Sequence, residues 1–360
     1  MRTIVKAHTP EERLAARLRG ERRAVQCMIR LVAVTSMLRT LLTRVLPLAG
    51  AASWWMTVVC LLPGLLVYGL LALVLRLTQT AVLTDAMRAC FGRFGAWLLA
   101  AVLTALLLLD GASSMTALIT LFTEGIGTEG TQFTLALLTG AVLCFCLHRE
   151  GLPRGVFFLR WLMLGALALL ALDWLSMSHF DGLFPVLGDG VPALMTAGEA
   201  GASLAWPLLL LLTAEPVRPG VRLRPVIPVA LICFGVVLLA CLSIPHELLV
   251  THHDLSGSLM EMTLHLHPAV RMVAICLLLL TLFLTLGGTA HLLSGALSAP
   301  TGRGYGWLPF AAVALMVLSQ LSDIRRLWAL LGTVEPWLLC PLAALGAAAL
   351  PVALIKRRRV

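Results

Sequence analysis

The sequence predicts an all-α integral membrane protein with about ten transmembrane helices. Mean hydropathy is +0.95 and only 12% of the 360 residues are charged, whereas about a quarter of the residues are charged in an average soluble domain. Apolar runs of about 20 residues, the length that crosses a bilayer, recur along the whole chain. Together these observations predict a bundle of membrane-spanning helices.

The apolar runs are separated by clusters of Gly, Pro and charged residues, as is typical of loops. We number the predicted spans 1 to 10 in chain order, and spans 3, 8 and 10 are long enough to tilt or bend. Their cores are residues 28–48, 54–75, 95–121, 131–147, 156–177, 191–213, 226–245, 269–293, 306–321 and 328–354.

The basic residues predict how the spans are oriented. With the N-terminus in the cytoplasm, most Lys and Arg residues fall in inside segments, while the predicted outside loops are mainly acidic. The positive-inside rule therefore favours an even number of spans with both termini cytoplasmic. We predict a basic amphipathic arm at 1–26, a ten-helix transmembrane domain at 27–355 and a basic tail at 356–360. This distribution argues against nucleic acid as a partner, despite a net charge of +9.

The N-terminal arm has a helix signal of its own. Thr9 is a capping residue, Pro10 suits the first helical position and Glu12 completes a capping box. Arginines surround Leu14 and Leu18, a pattern typical of helices that lie on anionic lipids. Two interpretations stay open: the arm only sets the topology, or it docks a partner protein.

The chain carries no signature of enzyme or metal chemistry. It has no phosphate-binding loop, dinucleotide-binding glycine motif, zinc pattern or triad spacing. The nine cysteines lie mostly in apolar spans, which predicts buried thiols rather than disulfides or a metal site. The histidines of the loop at 246–268 match no strong zinc spacing. We expect neither an enzyme nor a bound cofactor or metal.

Four ionisable residues lie deep within predicted spans: Arg39 in span 1, Asp110 in span 3, Glu199 in span 6 and Glu335 in span 10. A charge at membrane depth costs about 2.5–3.5 kcal/mol on insertion scales, and such residues usually face a protein interior or a cavity. Other polar residues recur beside them at helical spacing. The candidate ligand-binding residues are Ser36, Arg39, Thr40, Asp110, Gly198, Glu199, Gly201, Ser203, Thr281, Thr285 and Glu335.

The charges in this group support two interpretations. In the first, Arg39 pairs with Glu199 or Asp110 in a structural ion-pair network. In the second, Arg39 binds the carboxylate of a ligand while an acidic residue receives its ammonium group. One cation facing three acids leaves unpaired carboxylates, which either bind protons or cations or have pKa values raised by burial. For the group as a whole, we favour a ligand-sized site.

Span 6 carries Gly198-Glu199-Ala200-Gly201 well inside an apolar helix. Glycine weakens a helix, and helices interrupted at mid-membrane are how many transporters expose backbone groups to a ligand. The sequence therefore predicts an interruption of span 6 beside its acidic residue.

Several motifs accompany this layout. They are the stretch at 47–55 after span 1, the loop at 149–152 after span 4, the turn at 181–190 before span 6, the Glu199 region and Pro216. They resemble the spore germination protein family, the B-type integral-membrane subunits of nutrient germinant receptors in the amino acid–polyamine–organocation superfamily. The layout corresponds over about residues 28–355, and the stretches at 47–55 and 181–216 carry the resemblance best.

The resemblance implies a LeuT-like fold, with two inverted five-helix repeats and with spans 1 and 6 interrupted at mid-membrane. Relatives usually carry a glycine in the middle of span 1, whereas residues 34–39 of this chain contain none. Whether span 1 is interrupted here stays open. Either Arg39 replaces the backbone groups that would contact an anion, or the site has degenerated.

The resemblance also implies a function. The chain would sense a small nutrient, such as an amino acid, between spans 1 and 6 in the inner membrane of a spore. Its expected partners are that nutrient, an A-type receptor subunit and a C-type lipoprotein subunit, and the basic arm adds anionic lipids. The alternatives are a proton-coupled amino-acid or amine transporter and a ligand-free scaffold.

Overall fold

The computed structural model describes residues 10–80, 82–126, 151–176, 183–184, 186–188, 190–214, 225–243, 268–301, 314, 333, 340 and 343–355. The regular structure in these ranges is helical throughout. We number the α-helices in chain order: α1 (Pro10–Thr40), α2 (Leu46–Ala49), α3 (Ser53–Thr78), α4 (Leu83–Ile126), α5 (Gly151–Ser176), α6 (Val191–Gly201), α7 (Ala205–Ala214), α8 (Val226–Ser243), α9 (Pro268–Thr301) and α10 (Ala343–Ile355).

Four helical stretches within the described ranges are long and apolar enough to cross a membrane. They are Arg23–Thr78, Leu83–Ile119, Val191–Leu212 and Val270–Ala296, and the first covers predicted spans 1 and 2 together. Shorter apolar helices cover span 7 and the end of span 10. The all-helical prediction is thus confirmed for the described residues. Spans 4 and 9 lie outside them apart from position 314, so the ten-helix count and the inverted repeat stay predictions.

The exposed and buried side chains have the polarity that membrane helices require. Val58, Leu62 and Leu66 are exposed at every fourth position of α3, and Leu66 is 75% exposed. Ser113 and Thr289 are instead fully buried. Apolar side chains outside and polar side chains inside are compatible with a membrane protein, because lipid rather than water surrounds the helices.

Helix α1 is central in the described bundle. It contacts α5, α7, α8 and α9, and Met28, Val32 and Met37 are fully buried along it. Gly288 of α9 permits a close approach, since an added Cβ there would lie 2.7 Å from Cγ2 of Val32. The polar residues of span 1 therefore lie in the protein interior.

The arm and span 1 form one helix over the described residues. Helix α1 begins at Pro10, as predicted, and continues without a break to Thr40. An arm that lies flat on the lipid surface would require an interruption of this helix, and residues 10–40 have none. Arg154 of α5 donates to Oε1 of Glu21 at 3.2 Å, so the beginning of α5 lies beside the arm.

Both span 1 and span 6 contain a segment that is not α-helical. In span 1, a π-helical segment at Leu41–Val45 precedes α2, and a 3₁₀ turn at Gly50–Ala52 follows α2 beyond the predicted end of the span. In span 6, a 3₁₀ turn at Ala202–Leu204 separates α6 from α7. Within the helical stretch Val191–Leu212, α-helical geometry thus changes to a 3₁₀ turn directly after the second glycine of the motif, and a mid-membrane interruption of span 6 stays a prediction.

Candidate functional site around Arg39 and Asp110

The irregular part of span 1 begins two residues after Arg39. The π-helical segment Leu41–Val45 follows α1 directly, and short π segments frequently mark functional sites. Two hydroxyl groups satisfy backbone carbonyls here: Thr40 donates to Ser36 at 3.3 Å, and Thr43 donates to Arg39 at 2.7 Å. Span 1 thus changes its helical geometry without a glycine and without unwinding.

Arg39 and Asp110 form a buried ion pair that joins α1 to α4. Nη1 of Arg39 binds Oδ1 of the carboxylate and also donates to the backbone carbonyl of Asp110 at 3.1 Å. Ser36, one turn before Arg39, donates its hydroxyl to Oδ2 at 2.8 Å. The exposed fractions are 2% for Arg39 and 0% for Asp110. Both carboxylate oxygens therefore have a partner on α1, as a charge removed from water requires.

A second polar contact joins α1 to α9. The hydroxyl oxygens of Thr35 and Thr285 lie 3.0 Å apart. Each hydroxyl also reaches a carbonyl of its own helix, Thr35 that of Leu31 at 3.0 Å and Thr285 that of Thr281 at 2.7 Å. A hydroxyl has one proton to donate. When the two threonines bond to each other, the one that donates therefore loses its hydrogen bond to the carbonyl of its own helix. The polar interior thus extends from α4 through α1 to α9.

Glu199 does not belong to this ionic site. Helical spacing places Glu199 on one face with Ser203, but Glu199 is exposed whereas Ser203 is fully buried. The reason is the 3₁₀ turn at Ala202–Leu204, which has about 3.0 residues per turn and so changes the direction of the side chains. Ser203 donates to the carbonyl of Ala200 at 2.7 Å within this turn. The predicted burial of Glu199 is therefore wrong, and the partner of Arg39 is Asp110.

The two glycines of the span 6 motif contact α3. A Cβ added at Gly201 would lie 2.2 Å from Sγ of Cys60, and one added at Gly198 would lie 3.9 Å from Cε of Met56. The thiol of Cys60 also approaches the carbonyl of Ala197 at 3.7 Å. The need for a small residue at position 201 is therefore a packing requirement between α6 and α3.

The remaining site candidates have different positions. Thr281 is partly buried on α9, one turn before Thr285, and Glu335 lies outside the described residues. Two polar residues that sequence reasoning passed over also lie in the interior, Thr35 and His291, the latter 5% exposed. His291 lies in predicted span 8 but only two residues from its end, whereas the four ionisable candidates lie deep within their spans.

The described fold and site define an all-helical protein with apolar helices compatible with a membrane and an ionic centre buried between α1 and α4. No family model matches the chain, and no curated protein is significantly similar to it in sequence. The resemblance to spore germination proteins rests on the sequence motifs alone.

Proposed function

We propose that this protein is a membrane sensor that binds a small zwitterionic nutrient, such as an amino acid, at the ion pair of Arg39 and Asp110. In the setting that the sequence motifs indicate, it would be the B-type subunit of a spore germinant receptor. The observation that carries the proposal is the buried pair itself, with Ser36 on the second carboxylate oxygen.

A zwitterion can replace both partners of this pair at once. Its carboxylate would accept hydrogen bonds from the guanidinium of Arg39, and its ammonium group would donate to Asp110, so that one ion pair becomes two. Opening a buried pair without replacing both charges costs about 3–5 kcal/mol. The site would therefore disfavour ligands that carry only one of the two charges.

Such an exchange would move α1 away from α4. The π-helical segment after Arg39 contacts α2 and α6, so a displacement of α1 would reach span 6 through this contact. A ligand shifts such an equilibrium only by its difference in affinity for the two states. The exchange supplies that difference, because the ligand pairs with both charges only when the two side chains are apart.

The test is ligand binding by the full-length protein in nanodiscs, measured as a shift in melting temperature. The panel contains amino acids, the corresponding amines that lack the carboxylate, and N-acetylated amino acids that lack the ammonium group. We expect a shift with the zwitterion and not with either analogue. Arg39→Gln and Asp110→Asn should abolish it, whereas Arg93→Gln, at an exposed arginine of α4, should preserve it. Equal shifts with amine and amino acid would contradict zwitterion exchange.

A second function, a proton-coupled amino-acid or amine transporter, is favoured by the 3₁₀ interruption at Ala202–Leu204, because interrupted helices are common at transporter binding sites. Flux separates the two functions. A transporter accumulates labelled ligand in proteoliposomes under a pH gradient, whereas a sensor binds it without net uptake. Purification from the native membrane tests the receptor assignment, since lipoprotein and cytosolic-domain subunits should accompany the chain.

A further inference from the structure

Arginines lie at two successive levels along the interface between α1 and α5. At the first level, Arg154 of α5 donates to Glu21 of α1. Six residues further along both helices, Arg160 of α5 lies within hydrogen-bonding reach of the thiol of Cys27. The charge of Arg30 also lies close enough to interact electrostatically with this thiol. The equal steps show that α1 and α5 run parallel here. Two guanidinium groups thus approach one thiol at the second level.

Arg160 lies beside aromatic side chains at an exposed part of α5. Its Cζ is 3.7 Å from the ring centre of Phe157 and 5.1 Å from that of Trp161. Trp161 is 68% exposed and Phe158 is 79% exposed. Nε of Arg160 is buried and has no hydrogen-bond partner among the described residues. A cation therefore lies at the edge of an exposed apolar surface.

The depth of Arg160 in the predicted membrane follows from its distance to Arg154. Six helical residues at about 1.5 Å each separate the two by about 9 Å, and the positive-inside pattern assigns Arg154 to a cytoplasmic loop. The polar interface is about 5–8 Å thick on each side of the hydrocarbon, and arginine extends its charged end towards it. The guanidinium of Arg160 would thus reach the level of the lipid phosphates, and Trp161 the border of the hydrocarbon, where aromatic residues are enriched.

We propose that the surface formed by Arg30, Arg160, Phe158 and Trp161 binds the headgroup of an anionic phospholipid. The lipid phosphate lies on the two arginines and its acyl chains lie against the aromatic side chains. A phosphate at this position accepts charge-assisted hydrogen bonds from both guanidinium groups. The exposed rings favour a lipid over free phosphate, which would gain nothing from Phe158 and Trp161.

Lipid binding can be measured on the full-length protein after purification in detergent and removal of bound lipid. Phosphatidylglycerol, phosphatidylcholine or inorganic phosphate is added, and the lipid retained per protein is counted by native mass spectrometry. We expect about a five-fold preference for phosphatidylglycerol, which corresponds to about 1 kcal/mol for a basic residue near an anionic lipid. Inorganic phosphate at the same concentration should not compete with the lipid.

Variants of the protein test whether the preference for phosphatidylglycerol depends on this surface. Arg160→Gln should abolish most of it, Arg160→Lys should retain part of it, and Arg93→Gln on the same predicted side of the membrane should leave it unchanged. If Arg160→Gln does not fold, Arg30→Gln decides instead, because it removes the second guanidinium group and keeps the aromatic side chains. An unchanged preference in the folded variant overturns the proposal, and competition by inorganic phosphate shows a site for free phosphate.

Discussion

Arg39 of α1 holds the carboxylate of Asp110 on α4 in an ion pair that is closed to the surroundings, although 71 positions separate the two residues in sequence. The guanidinium binds one carboxylate oxygen and the hydroxyl of Ser36 binds the other. The ion pair therefore fixes the position of span 1 relative to span 3 along the helix axes. Under the proposed function, a ligand that replaces this ion pair would turn a structural contact into a switch.

The energetic coupling of the pair can be measured with a double-mutant cycle. Arg39→Met or Asp110→Leu alone should destabilise the protein by about 3–5 kcal/mol, because each leaves one charge buried without its partner. The double variant should recover most of this loss, since an apolar pair leaves no charge to desolvate. Reversible unfolding in mixed micelles gives the four free energies. A double variant no more stable than the weaker single variant would contradict the coupling.

Glu199 should act independently of Arg39. The exposed carboxylate of Glu199 lies on another surface, and substitutions without shared partners usually add within about 0.3–0.5 kcal/mol. We expect the free-energy changes of Glu199→Gln and Arg39→Met to sum in the double variant, measured in the same micelles. A coupling comparable with that of Arg39 and Asp110 would mean that Glu199 reaches the ionic site after all.

Close packing of α6 on α3 makes position 201 far more sensitive than position 198. Gly201→Ala should destabilise the protein by about 1–3 kcal/mol, the usual cost of an overpacked interior, because its Cβ would lie 2.2 Å from Sγ of Cys60. Gly198→Ala should be neutral or slightly stabilising, since alanine favours the helix and the nearest atom is 3.9 Å away. Melting temperatures of the two variants in detergent provide the comparison.

A second substitution tests the cause of the effect at position 201. Cys60→Ala removes Sγ but leaves its Cβ 2.5 Å from the added methyl group. It should therefore restore only part of the stability that Gly201→Ala loses. Full restoration would assign the loss to Sγ alone, and no restoration would assign it to something other than this contact.

Helices and interior polar faces could be predicted from the sequence because both depend on local patterns. Span length follows from the bilayer thickness, and residues such as Ser36 and Arg39 share a face at helical spacing. The change of helical geometry in span 6 also had a local signal, since Gly198 and Gly201 lie beside the 3₁₀ turn. These features need no knowledge of which helices are neighbours.

The pairing of charges could not be predicted, because it depends on which helices meet. Asp110 and Glu199 were equal candidates for Arg39 in sequence, and only the contact of α1 with α4 distinguishes them. The exposure of Glu199 was missed because the 3₁₀ turn changes the helical register just beyond it. The contact of Thr35 with Thr285 had no signal either, since helical spacing reveals nothing about residues 250 positions apart.

The turn before span 6 should depend strongly on Gly188. This residue has φ of 54°, a left-handed conformation that costs an L-residue about 1–2 kcal/mol. An added Cβ would also lie 2.3 Å from the carbonyl oxygen of Ala49. The same turn is held by Trp55, whose Nε1 donates to the carbonyl of Val186 at 2.8 Å, so the turn cannot move away without losing that bond.

Gly188→Ala should therefore lower stability by more than Gly190→Ala does. Gly190 also has a positive φ, 100°, but the nearest atom to an added Cβ is Cδ of Pro192 at 3.9 Å. The Gly190 variant thus reports the cost of a positive φ without a close contact, and a larger loss in the Gly188 variant indicates the contact with Ala49. Melting temperatures of the two variants in detergent give the comparison. Equal losses in the two variants would mean that the turn does not press against Ala49.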